Sequence, residues 1–453
     1  MAAIDRDRLA TMMAAEEQRF TDNHPKSAAL FEQTKKSVHR GVPMPWMTQW
    51  ASPFPVFAES ARGARVHDVD GHDYIDFCLG DTGALFGHSP EPIAAAVADQ
   101  AANGITNMLP TADAARVGEA LSARFGLPYW QFALSATDAN RFAIRLARAV
   151  TGRRRILVFN GCYHGSLDET LVSLENGVMR PMATTMGAAL DPSETTRMVE
   201  FNDIPALEAA LAEGDVACVL CEPALTNTGL VFPEPGFHQA VRDLTREHGA
   251  MLIVDETHTI CAGPGGGTGY FDLDPDIVTL GKPVAGGIAT AVYGFSESIG
   301  DRIAAWIDDI GSFVTGVGGT LTGNALAMRA MAVSLETVMT DENYAHMTEQ
   351  AGRLADGVSE IVAARGLNWG VGRLGARVEY RFHGGEPTNA TEAQAGDDPE
   401  LESLFRLYFL NRGIMLTIFY NVSLVSPATT AADIDRHNAV FAEFADSVTG
   451  PIQ

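Results

Sequence analysis

Short, almost wholly apolar runs recur through the middle of the chain, each followed by a cluster of small polar residues. They are 129–134 (YWQFAL), 156–159 (ILVF), 216–220 (VACVL), 251–254 (MLIV) and 277–280 (IVTL). Runs this short and this continuous suit strands covered on both faces. Helical patterns stand before the first run at 93–102 and 112–125, and between the first two at 141–150. Strands alternating with helices predict an α/β fold, with a mostly parallel sheet and crossover helices. In such sheets ligands gather at the carboxyl ends of the strands, so the polar residues after each run are candidates for chemistry.

A chain of 453 residues exceeds what one small core needs. Residues 1–75 read as an N-terminal segment: a helical stretch broken near Pro25, a proline- and aromatic-rich stretch, and a hairpin turning at Asp70-Gly71. Residues 76–325 hold the large α/β domain. A smaller α+β domain is expected over 326–453, packed with the N-terminal segment. A long helix is predicted from Gly323, strands at 376–382 and 414–424, and a surface loop at 383–400 (HGGEPTNATEAQAGDDPE).

The net charge of −25 disfavours nucleic acid and anionic membranes as partners. Arg153-Arg154-Arg155 reads as a solvated turn before a strand. No apolar run reaches a membrane-spanning length, and the charged N-terminus lacks a signal core. Five scattered cysteines argue for a reducing compartment, so a cytoplasmic protein is expected. Cys218 and Cys221 lie in an apolar run and read as buried thiols rather than metal ligands, and no metal is expected. The glycine-rich 263–269 (GPGGGTG) lacks the lysine of a phosphate loop. Cys162 and His164, two residues apart, show no orienting third group for thiol chemistry.

Lysine is scarce: Lys26, Lys35 and Lys36 lie near the N-terminus, and Lys282 is the only one in the body of the chain. It stands just past the run 277–280. A buried lysine can give up its proton where arginine cannot, so Lys282 reads as a reactive amine. The neighbouring run ends on Asp255 and Glu256. Ser135-Ala136-Thr137 opens a helix, where backbone N–H groups suit a phosphate. Tyr163-His164-Gly165 offers an aromatic face, Glu222-Pro223 and Asn227 an acceptor and an amide, and Thr320 a further hydroxyl. Pyridoxal phosphate calls for all of these together: a lysine for its aldehyde, a carboxylate for its ring nitrogen, an anion site and a ring support.

In that order the motifs SATDA, YHG, EP, DE, LGK and GTLTGN resemble the class III aminotransferases of PLP fold type I. The likeness is strongest to the glutamate-1-semialdehyde aminomutase and β-amino-acid aminotransferase branch, and it runs from the hairpin to the end of the chain. It implies Lys282 as the Schiff-base lysine and Asp255 as the partner of the ring nitrogen. It implies Ser135, Ala136 and Thr137 at the phosphate, Tyr163 beside His164 on the ring, and Glu222 and Asn227 near the ring hydroxyl. Thr320 would reach the cofactor of a neighbouring subunit, so a homodimer is implied. The activity implied is transfer of an amino group from a small-molecule donor to a keto acceptor. The alternative is an aminomutase or racemase on the same site.

Three departures stand out. Ala136 replaces the usual glycine of the phosphate turn. Thr257 stands where an apolar residue usually follows Asp255-Glu256, with His258 next, and these two would either tune the cofactor or contact its phosphate or a loop. Trp46 stands about where similar β-amino-acid aminotransferases place a carboxylate-binding arginine, and Phe419-Tyr420 occupy the second such region. Arg40, Arg377 and Arg381 are the cations left to consider. A substrate pocket of Met44, Trp46 and Phe419 would favour a donor with an apolar or aromatic side.

Overall fold

The computed structural model describes residues 4–187, 191–311 and 315–449. They form two compact units, one of Glu91–Tyr344 with Glu386–Ala395, the other of Met1–Pro90, Ala345–Gly385 and Gly396–Gln453. These limits differ from boundaries near 75 and 325. The helix Ala325–Val333 is buried along its length and packs on the helices Glu91–Asn103 and Asp113–Phe125, so it stays with the larger unit. The hairpin strand Asp73–Asp76 pairs with Ile414–Met415, which ties it to the C-terminal region.

The larger unit holds a seven-stranded sheet. Its spatial order is Tyr129–Ala133, Ala291–Phe295, Ile277–Leu280, Met251–Asp255, Val216–Cys221, Arg155–Phe159, Thr196–Val199. All five apolar runs are strands, and every residue of Val216–Cys221 and Met251–Asp255 is buried. Full burial of each large aliphatic side chain contributes roughly 1.5–3 kcal/mol. Ala291–Phe295, not anticipated, runs antiparallel to both its neighbours. It follows Ile277–Leu280 too closely for a crossover helix, so it must return alongside. Thr196–Val199 was also missed: it is a half-polar edge strand.

The helix after Tyr129–Ala133 begins at Ala136, five residues before the predicted start at Arg141, because Ser135 caps it by accepting from Asp138 N. The helix predicted from Gly323 leaves α-geometry at Ser334–Val338, a single π-helical turn. The run 414–424 is two strands, Ile414–Met415 and Val422–Leu424, on different sheets. The predicted surface loop 383–400 contains the short helix Ala390–Gln394, whose Ala390 is fully buried. Ala390 Cβ and Thr228 fill the space beside Gly161, where no side chain would fit.

The smaller unit carries a four-stranded and a three-stranded sheet. Its N-terminal helices are Arg6–Asn23 and Pro25–Thr34, broken at the proline as expected. Asp68 Oδ1 accepts from Gly71 N and His72 N, both at 2.8 Å, and fixes the Asp70-Gly71 turn. No helix among the described residues is long and apolar enough to cross a membrane.

The glycine-rich 263–269 wraps a buried acid. Glu256, fully buried, accepts from Thr259 Oγ1 at 2.6 Å, from Gly267 N at 2.9 Å, and from Thr268 N and Oγ1. A Cβ on Gly267 would lie 2.7 Å from Pro223. Burial raises the Glu256 carboxyl above its usual range even though four donors oppose it. Glu256→Ala should cost about 3 kcal/mol or more, because the loop's buried donors lose their acceptor. Glu256→Gln should cost less. Urea unfolding of the three proteins checks the ranking.

Candidate active site

The parallel strands bring their carboxyl ends to one edge of the sheet, and the candidate residues of the larger unit follow from them. Asp255 ends its own strand. Tyr163 and His164 follow Arg155–Phe159, Glu222 follows Val216–Cys221, and Lys282 follows Ile277–Leu280. Ser135, Ala136 and Thr137 lie where Tyr129–Ala133 turns into its helix.

Asp255 is almost fully buried. Its Oδ2 accepts from His164 Nδ1 at 2.9 Å and Asn140 Nδ2 at 2.7 Å, and its Oδ1 from Thr257 N at 3.0 Å. Burial alone would push this carboxyl up. His164, with help from Thr257 and Asn140, outweighs burial and holds it at about 2. Burial likewise opposes a charge on His164, but Cys162 and Asp255 raise it well above the ordinary histidine range. His164 therefore stands behind Asp255 as its counter-charge. Asn140 was missed in the sequence, although it interrupts the apolar face of its helix among Ala139, Ala143, Ile144 and Ala147. It also donates to His164 O at 3.1 Å and accepts from Thr279 Oγ1 at 2.6 Å.

Lys282 is half-buried and has a φ of 45°. That left-handed backbone costs a side-chain-bearing residue roughly 1 kcal/mol. Its Nζ meets His258 Nε2. His258 Nδ1 lies 2.8 Å from Thr226 Oγ1, which in turn contacts Glu222 Oε2. Asn227 Nδ2 donates to Glu222 Oε1 at 2.9 Å. Thr226, the link in this chain, was also missed; only its place four residues after Glu222 hints at it.

The turn at Ser135-Ala136-Thr137 touches two of the other motifs. A Cβ on Gly281 would lie 2.9 Å from Ala136 Cβ, and one on Gly165 would lie 2.8 Å from Thr137 Cα. An α-helix leaves its first N–H groups without intrahelical acceptors, and here they belong to Ala136 and Thr137. The hydroxyls are partly committed: Ser135 Oγ bonds Asp138, and Thr137 Oγ1 accepts from Ser166 N at 3.2 Å. Tyr163 is half exposed, and Thr257 Oγ1 is buried with no hydrogen-bond partner. An ionised carboxylate, a lysine amine, a helix N-terminus and an aromatic ring, all at one sheet edge, fit a group with a basic ring nitrogen, an aldehyde and an anionic end.

The remaining candidates are placed as follows. Thr320 is exposed. In the smaller unit Trp46 and Phe419, each 38% exposed, pack with ring centroids 5.8 Å apart, and Met44 is exposed nearby in sequence. Arg377 is fully buried, its Nε donating to Glu379 Oε1 at 2.7 Å, while Arg40 is exposed and Arg381 half-buried. Arg153, Arg154 and Arg155 bind carbonyls, Glu194 and Asp215. The five cysteines form no disulfide, and burial pushes the Cys218 thiol up to about 12, so it is no nucleophile.

Comparison with known proteins adds three findings. The sequence profile of the family Aminotransferase class-III matches residues 46–375. A glutamate-1-semialdehyde 2,1-aminomutase of Chloroflexus aggregans is 34% identical over 92% of this chain and 96% of its own. Among solved structures, a glutamate-1-semialdehyde-aminomutase from Pseudomonas aeruginosa is 46% identical with TM-score 0.96, covering 98% of this chain and 99% of its own. That protein has also been solved with a lysine-to-alanine substitution in complex with PMP. A β-phenylalanine aminotransferase from Variovorax paradoxus is 28% identical with TM-score 0.86, covering 96% and 97%.

The depressed Asp255 carboxyl has a stability consequence. Its folded value lies below its unfolded one, so its contribution is present above about pH 4 and is lost as the pH falls toward 2. Asp255→Asn should therefore cost about 2 kcal/mol near neutrality. The difference from the native protein should shrink as the pH falls through that window, in urea unfolding followed at several pH values.

Proposed function

The chain belongs to the class-III aminotransferase family, and on that premise we propose that it moves an amino group from an amine or β/ω-amino donor with an apolar side to a keto acceptor. Its cofactor is pyridoxal 5′-phosphate. When bound, the cofactor supplies an aldehyde that condenses with amines and a protonated ring that accepts electrons from the substrate carbon.

The chain's own residues divide the work. Asp255, kept ionised, would favour a positive charge on the ring nitrogen. The N–H groups of Ala136 and Thr137, with Ser135, would hold the phosphate, and Tyr163 would lie beside the ring. Glu222 and Asn227 would lie near the ring hydroxyl. Lys282 Nζ would be the amine that holds the aldehyde, and as a free amine it would move the proton as base and then acid. Thr320 serves the neighbouring subunit of a homodimer.

The observation that carries the donor assignment concerns cations. Residues 41–52, just before 53–55 (PFP), hold no arginine, and Arg377 is buried in a pair with Glu379 inside its own unit. A substrate carboxylate has no arginine at Trp46 or at Phe419-Tyr420. The exposed aromatic pair Trp46 and Phe419 instead suits an apolar group. The names of the Pseudomonas and Chloroflexus relatives favour a second reading, an aminomutase on the same lysine.

An amine panel separates the two. Native protein with cofactor should show a visible imine band, absent in Lys282→Ala, whose turnover should fall at least ~100-fold. An apolar donor alone should convert the band in one half-reaction, with turnover only when a keto acid is added. Isomerisation without any acceptor would select the aminomutase. Trp46→Arg should weaken apolar donors relative to carboxylate-bearing ones.

A further inference from the structure

His258 Nε2 meets Lys282 Nζ, and the roles above leave that contact without a task. Its own hydrogen bonds fix where its proton sits. The Thr226 hydroxyl has one proton to give. Glu222, an acceptor, takes it at Oε2 and takes Asn227 Nδ2 at Oε1. With that proton given to Glu222, Thr226 Oγ1 accepts from Asn227 Nδ2 at 3.3 Å and is placed to accept from His258 Nδ1 at 2.8 Å. That geometry suits the tautomer with its proton on Nδ1, which turns the Nε2 lone pair toward Lys282 Nζ.

We infer that His258 is the proton acceptor for Lys282. Before the lysine can attack an aldehyde, its ammonium must lose a proton. One N–H bond breaks at Nζ, one forms at His258 Nε2, and the electron pair stays on the amine. The imidazolium so formed is steadied through Nδ1 by Thr226 and, behind it, Glu222. When Lys282 must again be an acid, the proton returns along the same contact. This rests on the reading of Lys282 as the amine that takes the cofactor.

The titratable groups nearest His258 in the chain are those of its own strand end. Asp255 is held by His164, Asn140 and Thr257 N, and Glu256 by Thr259, Gly267 and Thr268. Cys261 is buried one turn on. Glu222, through Thr226, is the acid in line with the Nδ1 proton.

The test is the rate at which cofactor-free protein forms its imine band after pyridoxal 5′-phosphate is added, followed by stopped-flow absorbance from pH 6 to 9. A lysine and histidine sharing one proton should give native protein a rate that varies little with pH over part of that range. His258→Phe should react about 10- to 100-fold more slowly near pH 7, its rate climbing about tenfold per pH unit as an unassisted amine requires. His258→Gln can accept a hydrogen bond from Lys282 but cannot take a proton, and it should be as slow. Thr226→Val, which removes the lock on the tautomer, should slow the reaction a few-fold. All should reach the native band intensity, which shows that the site is folded. Native rates in His258→Gln would overturn proton acceptance, and native rates in both His258 variants would overturn any role for the residue. A native protein that forms no band would overturn the cofactor reading itself, and this inference with it.

Discussion

A carboxylate buried at the end of a central strand is the constraint around which the larger unit is arranged. Ionised and alone, Asp255 would cost several kcal/mol. It is kept ionised by donors from three places: Asn140 on the helix Ala136–Thr151, His164 on the loop after Arg155–Phe159, and the backbone of Thr257 just beyond its own strand. Satisfying one charge therefore fixes the relative positions of a helix, a loop and a strand. The same helix begins at the Ser135-Ala136-Thr137 turn, and the same loop carries Tyr163. Placing the acid places much of the rest.

Close approach does the remaining positioning. Gly281 lets the lysine strand end sit against Ala136, and Gly165 lets the loop after Phe159 sit against Thr137. Lys282 itself takes a left-handed backbone that few side chains adopt. Strain of this kind persists where surrounding contacts over-determine it. Here they do: Gly281 is pinned at Ala136, and the far end of the lysine meets His258.

The strand runs and the lysine were legible because both are patterns in one dimension. Continuous apolar residues mark a buried strand wherever it pairs, and a lone lysine is conspicuous among arginines. What escaped was pairing in three dimensions. Asn140 reads as one polar residue on a helix until Asp255 and Thr279 are placed beside it. Thr226 is an unremarkable loop residue until His258 and Glu222 flank it. The run 414–424 looks like one strand, but its two ends pair in different sheets, which no local pattern records. The polar stretch 383–400 looked solvated because two buried alanines, Ala390 and Ala393, are a weak signal among charged neighbours.

The relatives' names and the chain's own side chains weigh differently on the question of substrate. A fold matched over 98% of the chain, within the class-III family, goes with the family's cofactor. The substrate's distal end is met by other residues, and those can change while the sheet stays the same. The proposed donor class draws on two places in the smaller unit. At one, Trp46 and Phe419 expose about a third of their surface and pack on each other. At the other, Arg377 is sealed against Glu379, a pairing that would cost several kcal/mol to break for a substrate. On the proposed reading, the exposed Trp46–Phe419 pair is what supports an apolar donor, and the relatives' names are what support an aminomutase.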